Sequence, residues 1–161
     1  MPDGVPAYTT CGDDDARAFA RRPPHDLDRA RALFVNRREA RQLTGHESAE
    51  DSAARLGECV PIAVVTCGAE GAVAAVDGEL LRAQAFPTRA VDTTGAGDLL
   101  CAAFVWADLA GADPQAALTG STDLAIRALA LHPLVPSVSV ARRIFAGYRE
   151  RLPELQERFA A

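Results

Sequence analysis

Ile62-Ala63-Val64-Val65-Thr66 is an unbroken apolar, largely β-branched run held between Pro61 and Gly68, and no other stretch narrows the fold as much. A strand without polar alternation must be buried on both faces, which calls for a mostly parallel sheet with helices over each side. Gly71 to Val76 reads as the next strand, and Asp77-Gly78 is the strongest hairpin signal in the sequence. Leu80 to Ala85 is the return strand. The fold class expected is α/β, a mostly parallel sheet flanked by helices with an antiparallel edge hairpin.

The remaining elements alternate in the same sense. Val5 to Thr10 reads as a short first strand, Gly12 to Pro24 as a charged loop with some helix, Leu27 to Ala32 as a helical turn and Leu33-Phe34-Val35 as a short buried strand. Arg38 to Leu43 is predicted helical and ended by Thr44-Gly45, and Ser52 to Leu56 helical with Gly57 as its stop. Helices are expected at Leu99 to Leu109, Ala112 to Leu131, Val138 to Tyr148 and Pro153 to Phe159. Residues 1–26 form a poorly patterned N-terminal segment with a remnant strand, ahead of a domain over residues 27–161.

Composition excludes several function classes. A net charge of −5 with 24% charged and 48% apolar residues is an ordinary globular balance for a chain of 161 residues, enough for one domain with its own core. The arginines are interrupted by acidic residues, so no basic stripe suits nucleic acid. No apolar run is long enough for a membrane helix and the N-terminus lacks a leader pattern, which leaves the cytoplasm as the expected location. Cys11, Cys59, Cys67 and Cys101 are far apart, with neither zinc spacing nor a disulfide framework. Cys67 and Cys101 read as small buried residues rather than nucleophiles, and His25, His46 and His132 have no partner spacing.

The chemistry concentrates in Asp92-Thr93-Thr94-Gly95-Ala96-Gly97-Asp98, two carboxylates around a small-residue turn that opens onto an apolar helix. Gly95 and Gly97 permit close backbone approach and Ala96 adds little bulk, so successive N–H groups can converge on an anion at the positive end of the helix. A carboxylate at such a place repels the anion unless it has a task, and accepting a proton from an attacking hydroxyl is the obvious one. Asp98 could equally be the N-cap of the helix, and Gly95 to Gly97 a plain tight turn. Asp92 could close an Asx-turn, and Thr93 and Thr94 could cap. Upstream, Asn36 and Glu39 lie one helical turn apart after a strand, an arrangement that serves either as a capping box or as a holder of hydrated magnesium.

Ala90 to Phe104 closely resembles the C-terminal signature of the ribokinase-like (PfkB) carbohydrate kinases. Asn36-Arg37-Arg38-Glu39-Ala40 with Leu43-Thr44-Gly45, and Val64 to Ala72, resemble the same family in the same order, so the likeness runs from about Leu27 to Leu131. It covers the C-terminal half only. The kinases resembled are about twice as long, and their first half carries most sugar-binding residues and the lid strands, so a truncated ribokinase-like fold is expected here.

The resemblance implies transfer of the ATP γ-phosphate to an alcohol of a sugar or nucleoside, with Asp98 as base and Gly95, Ala96, Gly97 and Asp98 as an anion hole. It puts ATP near Thr66, Gly68, Gly71 and Thr94, with adenine near the helix holding Ser121 and Thr122. Magnesium is assigned to Asn36 and Glu39, and a monovalent cation such as K+ to the loop at Asp92. The alternative is a non-catalytic nucleotide-binding or dimerisation module, its exposed sheet edge covered by a second copy or a partner chain. A P-loop nucleotidase lacks its Gly-x-x-x-x-Gly-Lys-Ser/Thr pattern and is rejected.

Overall fold

In a computed structural model, which describes residues 6–12, 29–88, 93 and 95–131, the apolar run becomes β3 (Ile62–Thr66), the middle strand of a five-stranded sheet. The others are β1 (Ala7–Thr10), β2 (Ala30–Asn36), β4 (Ala72–Val76) and β5 (Glu79–Ala83), in the spatial order β1-β2-β3-β4-β5. β1 and β2 are parallel, as are β2 and β3, while β4 runs antiparallel to β3. Val64 and Val65 point to opposite faces and both are 0% exposed, so the sheet is covered on each side as the sequence predicts.

The described residues form two compact units, one running to Cys67 and including Ala72–Leu81, the other made of Gly68–Gly71 and the residues from Arg82 onward. In the first, α1 (Arg37–Thr44) and α2 (Ala49–Gly57) join one face of the sheet in a core that includes Leu33, Val35, Ala40, Leu56, Val65 and Val73. α1 ends where Gly45 turns left-handed at φ 77 and donates its N–H to the Arg41 carbonyl. β2 is a correction. The sequence reads Leu27 to Ala32 as helical, yet Ala30 to Ala32 extend the strand, because parallel pairing with β1 and β3 overrides the helix preference of alanine and arginine.

α2 begins three residues before the predicted Ser52, at Ala49, because Ser48 caps it by accepting from the Asp51 N–H at 3.1 Å. Gly57 is its last helical residue rather than its stop. A Cβ there would lie 2.8 Å from the Cβ of Ala75 on β4, so packing against the sheet accounts for the glycine. Asp77 (φ 49) and Gly78 (φ 85) form the tight turn of the β4–β5 hairpin, both left-handed as a type I′ turn requires.

In the second unit, α3 (Ala96–Leu109) and α4 (Pro114–Leu131) pack against each other across a short connection in which Gly111 has φ 77. Ala103, Phe104, Ala107, Ala117 and Leu118 are fully buried on these helices. Asp113 starts α4, its carboxylate accepting from the Gln115 and Ala116 N–H groups at 2.9 and 3.1 Å. Gln115 Nε2 also donates to the Arg82 carbonyl of β5 at 2.9 Å. Among the described residues no helix is long and apolar enough to cross a membrane. The helices expected at Val138 to Tyr148 and Pro153 to Phe159 lie outside the described residues.

Candidate functional site

Two backbone hydrogen bonds lie at the turn before α3. Ala96 N–H donates to the Thr93 carbonyl at 3.2 Å, and Gly95 holds φ 82 and ψ −2, the values of the third residue of a type II turn. Gly95 is also the N-cap of α3: its carbonyl accepts from Leu99 N–H at 2.9 Å, and among the described residues no side chain caps the helix. The helix therefore starts at Ala96, not Leu99, and Asp98 lies within its first turn. The reading of Asp98 as N-cap is thereby corrected, because the left-handed Gly95 occupies the N-cap position.

Two consequences follow for the N-terminus of α3. The backbone N–H groups of Gly97 and Asp98 have no hydrogen-bond acceptor among the described residues, as first-turn donors lack one when a cap is missing. Asp98 is exposed, and its carboxylate makes no hydrogen bond or ion pair among the described residues. Its charge is felt by Cys101 one turn on, where burial first and the Asp98 carboxylate second push the thiol above its ordinary value. Cys67 and Cys101 are each only partly buried, so the expectation of small buried residues holds in part.

Gly97 is the informative position. It is exposed and is not among the glycines with positive φ, and a Cβ built on it meets no atom of the described residues within 4 Å. A helical glycine costs about 0.5–1 kcal/mol relative to alanine. Neither conformation nor packing among the described residues requires a glycine here, whereas at Gly95 the left-handed φ does. Asp92 and Thr94 lie outside the described residues, and with them the loop expected to hold a monovalent cation.

At the C-terminal end of β2, Asn36 and Glu39 form a reciprocal capping box. Asn36 Oδ1 accepts from Glu39 N–H at 2.9 Å and Glu39 Oε2 accepts from Asn36 N–H at 2.7 Å, with Glu39 9% exposed. Among the described residues no group of three or more His, Cys, Asp or Glu is placed to hold a metal ion. The donor set therefore fits magnesium only through water, with Glu39 Oε1 left to accept from the ion's hydration shell, which suits an ion bound mainly by phosphates. Thr66 ends β3 opposite Asn36 in register, its hydroxyl donating to the Val35 carbonyl at 3.4 Å.

The two glycines after β3 differ in kind. Gly68 is exposed at φ 59 with no atom near a built Cβ. Gly71 is buried at φ 101, and a Cβ there would fall 1.9 Å from the Ala83 carbonyl oxygen and 2.8 Å from Ala85 N, so backbone crowding accounts for it without a ligand. Ser121 and Thr122 on α4 are 0% and 2% exposed. Ser121 donates to the Leu118 carbonyl at 3.1 Å, and the Thr122 hydroxyl has no partner among the described residues. Neither hydroxyl is presented to solvent. The sequence reading missed two features of α4, the Asp113 cap and the two-oxygen Asp123–Arg127 ion pair. Asp-Pro at a helix start and Asp and Arg four residues apart were the available signals.

The family model described as pfkB family carbohydrate kinase matches residues 7–126, well over half of the chain. The chain belongs to this family. A 5-dehydro-2-deoxygluconokinase of Bacillus subtilis (strain 168) is 36% identical over 76 residues, covering 47% of this chain and 23% of that protein. Among solved structures, the adenosine kinase from Sinorhizobium meliloti superimposes with a TM-score of 0.70 at 28% identity, over 89% of this chain and 45% of that one. The ribokinase from Thermotoga maritima shares the fold with a TM-score of 0.64 at 20% identity, over 89% of this chain and 57% of that one. This pfkB-family chain thus spans about a quarter of its curated relative and about half of each solved structure.

Proposed function

We propose that this chain carries the nucleotide-binding and phosphoryl-transfer part of an ATP-dependent kinase whose acceptor is an alcohol of a sugar or nucleoside. The observation that carries the reading is Gly97, a helical glycine that the described fold does not need, beside two N–H groups without acceptors among the described residues and an exposed carboxylate. A phosphate oxygen approaching those amides uses the space a side chain would fill. The acceptor class is supported by membership in a carbohydrate kinase family and by relatives named for a sugar derivative and for a nucleoside.

In this mechanism the acceptor hydroxyl oxygen bonds to the γ-phosphorus as the bond to the β–γ bridging oxygen breaks. The hydroxyl proton passes to an Asp98 carboxylate oxygen, and the electron pair leaves with ADP. The Gly97 and Asp98 amides donate to the oxygens of the transferring group, where negative charge accumulates, and being fixed by α3 they need no reorganisation. Glu39, its carboxylate fixed by Asn36 through the capping box, would hold a magnesium ion through the ion's water, and the ion would supply screening of phosphate charge. Gly68 and Thr66 lie at strand ends, where α/β sheets receive nucleotides.

The test compares the chain with Asp98→Asn by calorimetric titration with Mg·ATP, and by ATP consumption across a panel of sugars and nucleosides. Binding should tighten about twofold to fivefold in the variant, because a charge facing the phosphates is removed. Any acceptor-dependent turnover should fall by about 10² to 10⁴. Turnover that survives in Asp98→Asn defeats the base assignment, and the absence of ATP binding by the unaltered chain defeats the nucleotide site.

A further inference from the structure

We draw no further inference here: the strongest candidate, the buried Thr122 hydroxyl in the middle of α4 that has no hydrogen-bond partner among the described residues, belongs to the nucleotide site already proposed, and its enclosure by protein leaves nothing to show what would reach it.

Discussion

Gly97→Ala separates what the fold wants from what a ligand wants, because the two pull in opposite directions at this position. The residue is helical and exposed, and its added Cβ meets no atom of the described residues within 4 Å, so among them the substitution introduces neither strain nor overlap. Removing a helical glycine should stabilise the chain by about 0.5–1 kcal/mol, which for a domain of this size raises the melting temperature by about 1–4 °C. If the Gly97 and Asp98 amides hold a phosphate, the same methyl group intrudes on the anion. Losing or lengthening one charge-assisted hydrogen bond of about 1.5–3 kcal/mol weakens ATP binding by about ten- to a hundredfold. Urea denaturation and calorimetric titration with Mg·ATP on the same preparations read both effects. A destabilised variant would mean that the fold itself requires the glycine. A stabilised variant with unchanged ATP affinity would refute the link between Gly97 and the phosphate.

Gly71→Ala should cost about 3–5 kcal/mol in urea denaturation, since a positive φ and a collision with the Ala83 carbonyl act together, whereas Gly68→Ala should cost only about 1–2 kcal/mol for its left-handed backbone. Equal effects would show that Gly71 is not held by backbone crowding. Alkylation by iodoacetamide at pH 8 should modify the exposed Cys59 well before Cys101, whose raised pKa leaves less thiolate at that pH. Asp98→Asn lowers that pKa by removing one of its two causes and should speed modification of Cys101 by about twofold to fivefold, burial still restraining it; an unchanged rate contradicts the coupling.

The parts of this fold legible in the sequence are those fixed by local chemistry. β3 declared itself because five consecutive apolar or β-branched residues cannot form an exposed strand, and Asp77-Gly78 because few other pairs accept two left-handed residues. The Asn36–Glu39 capping box was equally readable from its spacing. The first residues of β2 favour helix, and only pairing with strands distant in sequence makes them extend the strand. The start of α3 is hidden for a related reason: a Gly-Ala-Gly stretch looks like a break, while in the structure one glycine makes the turn and the next is already helical. Glycine is where sequence says least. Gly57, Gly71 and Gly97 are one residue type answering to a neighbouring alanine, a crossing backbone and, on the present reading, a phosphate, and only coordinates tell these apart.

The most direct measurement follows the backbone amides themselves. Nitrogen-15 spectra of the labelled chain, titrated with Mg·ATP and separately with adenosine, report whether the N–H groups at the start of α3 meet a phosphate. The Gly97 and Asp98 resonances should shift strongly with Mg·ATP and stay in place with adenosine. Saturable binding of Mg·ATP that leaves both resonances unmoved would place the phosphates elsewhere and remove the basis for Asp98 as the proton acceptor.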